Sequence, residues 1–179
     1  DDIANRPTDE NAKFAWIKRL GHYIIDNINV CIGGETINKI SGEWINIWYE
    51  LTKKQDQDMN YKKMIGDVSE LTTYDRTIKN AYTLYIHFPL WINNHPSLAL
   101  PLVALLYNDI QISIKLNKFE NCTMVEDNVT YKNEIKLKPE LLADYIYLEE
   151  SSRKLFAESR HEYLVEQIQY NGDYIIENK

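Results

Sequence analysis

Asp109-Ile110-Gln111-Ile112-Ser113-Ile114-Lys115-Leu116 alternates polar and large aliphatic residues without a break. Successive side chains of a strand point to opposite faces, so this run reads as a strand with one face buried. The same alternation recurs upstream. Ile28-Asn29-Val30-Cys31-Ile32 is a half-buried strand, Gly33-Gly34 follows it, and residues 35–40 are again strand-like. Two glycines between two such runs predict a tight hairpin, because its turn needs positive φ. Tyr82, Leu84, Ile86 and Phe88 alternate as well and predict a further strand. Residues 145–148 and 163–170 are the last candidates, and Asn171-Gly172 then signals a turn, with residues 173–176 returning as a hairpin. About seven short strands separated by turn signals are the pattern of an antiparallel sandwich or barrel.

Short helices fit the connections. Phe14, Ile17 and Leu20 are spaced like one helical face that Gly21 ends. Ser41 is placed to cap a second helix, on which Trp44, Ile47, Trp48 and Leu51 fall at i, i+3, i+4 and i+7. That stripe is read as plugging the core of the sandwich. Ser151 or Ser152 is read as the cap of a third helix through Leu155, Phe156 and Ala157. Residues 52–73 are polar and irregular, with 53–61 an exposed loop, and residues 117–140 are loop-like too. Pro89, Pro96 and Pro101 punctuate an apolar stretch ending at Tyr107. Proline removes a ladder donor, so an extended, buried connection is expected there.

Composition narrows the function classes. With 44% hydrophobic and 26% charged residues, the 179-residue chain is an ordinary globular one. Its 13 tyrosines and four tryptophans lean towards β structure. A formal charge of −7 argues against a nucleic-acid face, which needs clustered Lys and Arg. Lys53-Lys54 and Lys62-Lys63 are read as solvated loop charges. Cys31 and Cys122 form no CxxC pair and are read as free thiols, with a single disulfide left open by the sequence. No apolar run approaches membrane-spanning length and no basic-then-apolar leader precedes the fold. The chain does not begin with Met and opens on a mostly polar, loop-like stretch, residues 1–10, so it is read as a fragment.

Nothing selects an active site. His22, His87, His95 and His161 are widely spaced, with no HxH or HExxH pair for a metal. No GxSxG elbow, P-loop or GxGxxG occurs, and no pair among Asp26, Glu43, Glu50, Asp67 and Glu70 is singled out as the two facing carboxylates of a glycosidase. The chain is therefore read as no enzyme, with no catalytic residues, metal ligands or cofactor. Asn121-Cys122-Thr123 and Asn128-Val129-Thr130 match the N-glycosylation triplet in a polar stretch. Without a secretory signal, Asn121 and Asn128 are read as unmodified.

Five stretches carry a resemblance. They are Trp16-Ile17-Lys18-Arg19-Leu20-Gly21-His22; Ile32-Gly33-Gly34-Glu35-Thr36-Ile37 followed by Gly42-Glu43-Trp44-Ile45-Asn46-Ile47-Trp48-Tyr49-Glu50-Leu51-Thr52; Met64-Ile65-Gly66-Asp67-Val68; Tyr82-Thr83-Leu84-Tyr85-Ile86 with His95-Pro96-Ser97-Leu98-Ala99-Leu100-Pro101-Leu102-Val103-Ala104-Leu105; and Ala143-Asp144-Tyr145-Ile146-Tyr147-Leu148 with His161-Glu162-Tyr163-Leu164. In this order, and over most of the chain, they resemble the major capsid proteins of nucleocytoplasmic large DNA viruses, the iridovirus, phycodnavirus and mimivirus group. Two positions depart from that family's pattern: His87 stands where proline follows Tyr85-Ile86, and Ser97 where glycine is usual.

The resemblance implies an all-β fold, an antiparallel jelly-roll sandwich with short helices in its connections. It would be most of the first jelly roll of a double jelly-roll protein. Residues 1–158 would be that first domain without its opening strands, and residues 159–179 a linker and the start of the second. It implies a structural virion protein: homotrimers forming pseudo-hexagonal capsomers of an icosahedral shell, touching neighbouring capsomers and minor capsid proteins, assembled in the host cytoplasm, and binding no nucleic acid directly. The loop at 53–61 or at 117–138 would project from the jelly roll. Deleting residues 130–138 is then expected to leave trimers intact, and the fragment alone to aggregate through unpaired sheet edges. Two other classes share such a sandwich. A carbohydrate-binding module would expose Trp44, Trp48 or Trp91, which acrylamide quenching would detect. A cupin-type or glycosidase enzyme would gather metal ligands or paired carboxylates. A minor capsid or scaffolding relative is a closer alternative.

Overall fold

The computed structural model describes residues 12–126 and 137–169. Among them, every strand pairing is antiparallel. Five strands are seen: β1 (Phe14–Trp16), β2 (Ile25–Ile32), β3 (Glu35–Ser41), β4 (Ile110–Leu116) and β5 (Thr123–Val125). They make a three-stranded sheet in the order β3-β2-β4 and a two-stranded sheet β1-β5.

The three-stranded sheet pairs as the alternation requires, but its buried residues lie on β2 and β3. β4 buries none, with Ile114 41% and Leu116 43% exposed, so the expected buried face of residues 110–116 is only partly covered. Ile28 lies between Ile40 and Ile114, and Val30 between Asn38 and Ile112. Ile25, Ile28, Val30 and Ile40 are buried and meet Ile45, Leu90 and Trp91 in the first core cluster. A fully buried side chain of this kind contributes about 1.5–3 kcal/mol. The hairpin turn is where the glycines predict it, with Gly33 at φ 60° and Gly34 at φ 87°. Ile37 has no partner on β2, because the register shifts between Val30 and Cys31. Such a bulge frees a backbone carbonyl, and the Gln167 side-chain amide donates to Ile37 O.

The two-stranded sheet closes a second cluster of Phe14, Trp16, Leu20, Leu71 and Cys122. Phe14 meets Trp16 edge-on at 5.5 Å, and its backbone N–H donates to Asp75 O at 2.8 Å. Residues 14–20 thus do not form the expected helix. They run as β1, turn at Arg19 with φ 58°, and enter the four-residue α1 (Leu20–Tyr23). Pairing with β5 satisfies the backbone of this segment, and the second sheet buries side chains that the helical spacing assigned to one stripe.

The helix α2 (Gly42–Thr52) starts as predicted, with Ser41 Oγ accepting from Trp44 N at 3.1 Å. Its first residue has to be glycine: a Cβ there would lie 1.9 Å from Ile25 O. Within the stretch expected to be irregular, α3 (Asp58–Met64) and α4 (Ser69–Thr72) form, so the predicted loop at 53–61 is partly helical. Helix α5 (Glu150–Glu158) also forms, but its cap position is Glu149, with no side-chain cap bond, and not Ser151 or Ser152.

Residues 82–88 show the predicted alternation without a ladder. Leu84, Ile86 and Phe88 are half-buried while Thr83, Tyr85 and His87 are exposed. Among the described residues no strand pairs with this segment; Tyr85 N donates instead to Met64 O at 2.8 Å. Residues 145–148 and 163–169 likewise form no ladder among the described residues. Alternation orients side chains, but a strand also needs a neighbouring backbone. The proline-punctuated stretch is not extended throughout: it coils into 3-10 turns at Trp91–Asn93 and Pro96–Leu98, with Leu90 and Trp91 buried. The stretch after β4 holds another, Phe119–Cys122, before β5. The predicted turn at Asn171-Gly172, the hairpin at 173–176 and Asn128 lie outside the described residues, as do residues 127–136 of the expected loop.

Candidate assembly surface

The residue types that carry chemistry are dispersed. Among the described residues, no group of three or more His, Cys, Asp or Glu side chains is placed to hold a metal ion. His95 Nδ1 accepts from Ser97 N at 3.2 Å and caps a 3-10 turn, and His161 Nε2 lies 2.6 Å from Phe156 O. His87 rests on Trp48, ring centres 5.5 Å apart, and although the residue is exposed, partial desolvation of its ring lowers its pKa. Both cysteines are free; Cys122 is buried and its thiol pKa is pushed up by that burial.

The tryptophans form no open platform. Trp16 and Trp91 are buried, Trp44 packs against the first core and Trp48 is half-covered by His87. An apolar cavity of about 180 Å³ lies between Trp16, Leu84, Leu116 and Phe119. That falls below the roughly 300–1,000 Å³ of small-molecule sites. Asn121 is exposed, but the Thr123 hydroxyl of its triplet is buried and donates to Phe119 O at 3.1 Å.

The sequence did not announce the polar clasp that joins α1, α2 and α3. Arg19 Nη1 donates to Asn46 Oδ1 at 2.9 Å, and its guanidinium pairs with Glu50, lies 4.0 Å from Asp67 and sits over the Tyr49 ring. Arginine only donates, so the Asn46 atom facing it is the amide oxygen. The same oxygen lies 3.4 Å from His22 Nδ1, which therefore carries the ring proton, and Nε2 accepts from the Tyr61 hydroxyl at 3.1 Å. His22 is fully buried, and its pKa is lowered chiefly by that burial, with Arg19 adding to it. Tyr49 stacks on Tyr61 at 4.7 Å and donates to Asp58; burial and that carboxylate raise its pKa. The clasp explains how Arg19 is held at positive φ, a conformation uncommon outside glycine. Lys18, Arg19 and Lys62 line a depression beside it, but Arg19 and Lys62 are ion-paired to acids, so it is no free anion site.

Helix α2 has two apolar faces. The face that enters the molecule is Gly42, Ile45 and Tyr49. The stripe expected in the core, Trp44, Ile47, Trp48 and Leu51, is turned away by about one residue step, roughly 100°. Only Trp44 reaches the first core; Ile47 is 48% and Leu51 75% exposed. The clasp sets this rotation, because Tyr49 and Asn46 must reach Arg19 and His22. The i, i+4 pair Ile45 and Tyr49 was the signal available in the sequence, outnumbered by the longer stripe.

The family model for the major capsid protein N-terminus matches residues 3–149. The chain belongs to the major capsid protein family. It is 34% identical over 176 residues to capsid protein 1 of Acanthamoeba polyphaga mimivirus, covering 91% of this chain and 29% of that protein. It is 34% identical over 167 residues to the major capsid protein of Pyramimonas orientalis virus, covering 93% of this chain and 41% of that one. The chain thus spans well under half the length of these capsid proteins. Among solved structures, VP54 of PBCV-1, fitted into a cryo-EM reconstruction of the virophage Sputnik, superposes with a TM-score of 0.65 at 21% identity, over 94% of this chain and 38% of that one. That likeness concerns the fold. The membership expected from the five stretches is borne out, and the relatives are structural shell proteins of large DNA viruses.

Proposed function

We propose that this chain is the N-terminal shell-forming part of a major capsid protein. The observation that carries the reading is the family match over residues 3–149, on a fold whose chemistry-bearing side chains serve packing and turns. In this reading the two sheets belong to the first of two jelly rolls, residues 1–158, and residues 159–179 lead into the second. Three subunits close a pseudo-hexagonal capsomer through a head-to-tail contact. Capsomers tile an icosahedral capsid with minor capsid proteins at their joints, and assembly takes place in the host cytoplasm. The protein works by contact and not by catalysis, and Asn121 stays unmodified.

Light scattering on a sizing column tests this with the intact protein. A stable trimer is expected. A monomer that does not self-associate at micromolar concentration overturns the capsomer reading.

A further inference from the structure

Helix α3 is fastened to the fold without being packed into it. No residue within Asp58–Met64 is buried. A few specific contacts hold it. Tyr61 donates to His22 Nε2 at 3.1 Å and stacks on Tyr49 at 4.7 Å, Asp58 accepts from the Tyr49 hydroxyl, and Met64 O accepts from Tyr85 N at 2.8 Å. His22, at the inner end of this attachment, is fully buried. Its neutral ring is saturated: Nδ1–H goes to Asn46 Oδ1 and Nε2 accepts from Tyr61.

We infer that α3 is an acid-released flap, held closed by neutral His22 and let go when that ring takes up a proton. The inference concerns this chain's own helices and stands apart from the shell reading. A proton on Nε2 sets an N–H against the donating hydroxyl of Tyr61 and a positive charge beside Arg19. The charged groups around the ring are engaged elsewhere. From α2, Glu50 pairs with Arg19 and Lys53. From α3, Asp58 takes the Tyr49 hydroxyl and pairs with Lys62. After α3, Asp67 lies 4.0 Å from Arg19. Arg19 also covers the Tyr49 ring and shares Asn46 Oδ1 with His22. Among the described residues no carboxylate reaches the ring itself, so a buried imidazolium must be solvated by water. Of the two tyrosine rings against His22, Tyr49 is buried and Tyr61 half-buried, so the way to water leads past Tyr61 and α3. Burial holds the His22 pKa below 6.5, with Arg19 adding to it against the weaker pull of Asp67. The closed form therefore resists the proton that the open form accepts, and opening is favoured as pH falls through 6.5.

The test is amide hydrogen exchange of the intact protein at pH 7.5 and 5.5, corrected for the intrinsic pH dependence of exchange. Amides of residues 61–64 are expected to exchange faster than those of residues 28–31 at both pH values, because α3 opens without the sheet unfolding. From pH 7.5 to 5.5 they should accelerate severalfold. The ceiling is about tenfold, set by one proton taken up one pH unit below 6.5. In His22→Gln the acceleration should be lost. In Asn46→Asp it should vanish or invert, because a carboxylate then replaces the amide oxygen that His22 and Arg19 share and stabilises the imidazolium in the closed form. Should His22→Gln not fold, Asn46→Asp and the unsubstituted protein decide. Three results overturn the inference: no acceleration in residues 61–64, exchange there at the same rate as in the sheet, or the same acceleration in either folded variant.

Discussion

Replacing Gly42 by alanine opposes two physical effects that the structure allows to be weighed. Alanine is the better helix former by about 1 kcal/mol, so Gly42→Ala at the start of α2 looks favourable from propensity alone. In the fold, the added Cβ would lie 1.9 Å from Ile25 O and 2.8 Å from His22 O, both backbone atoms. Neither can swing aside like a side chain. Relieving the closer contact requires α2 to retreat from β2 by about 1 Å, which loosens a well-packed interface. Ile45 and Tyr49 are the side chains buried there. Overpacking of this kind costs about 1–3 kcal/mol, occasionally more; here it acts on backbone, so a cost of about 3–4 kcal/mol is expected, leaving a net loss of about 2–3 kcal/mol after the propensity gain. Hydrogen exchange of the amides of residues 45–52, measured in the intact protein, reads this locally. Exchange should accelerate by about 30–150-fold, since each 1.4 kcal/mol is tenfold. Exchange that is unchanged or slower would refute the reasoning, because helix propensity would then outweigh the close approach of α2 to β2.

Further expectations follow from burial and charge. His22 has a folded-state pKa below its ordinary 6.5, so below that pH the unfolded chain takes up a proton that the folded one resists; the stabilisation is present above about pH 6.5 and is lost as pH falls. The thermal midpoint should therefore drop between pH 7.5 and 5.5, with a shallower slope in His22→Gln; equal slopes would remove His22 as the cause. Ile28→Ala, at a fully buried position, should cost about 2–5 kcal/mol. Ile114→Ala faces Ile28 across the ladder but is 41% exposed, and should cost under about half as much by denaturant titration. Cys31 should react with a thiol reagent well before Cys122, which is buried with a raised thiol pKa; equal rates would contradict the packing around Cys122.

What could be read before folding depended on how local the cause was. The strand at 110–116, the paired-glycine hairpin and the Ser41 cap each arise from a few adjacent residues, and each stands in the structure. Residues 82–88 kept their side-chain alternation but acquired no ladder, because a ladder depends on which backbone arrives alongside. Residues 14–20 reversed their expected helix because β5, more than a hundred residues away in sequence, pairs with them. The family-like stretches pointed to a shell protein, and the family match over residues 3–149 agrees with them.

By itself, then, the sequence determined the antiparallel hairpin, the main helix and its cap, the absence of any motif for chemistry, and the family. These follow from periodicity, turn stereochemistry and residue type, which act over a few positions. Only the tertiary structure decided which face of α2 turns inward. Two apolar faces on one helix are equally available to the core until distant groups choose between them. Here Arg19 and His22, held at the start of α1, draw in Asn46 and Tyr49, and Ile47 and Leu51 are left outside.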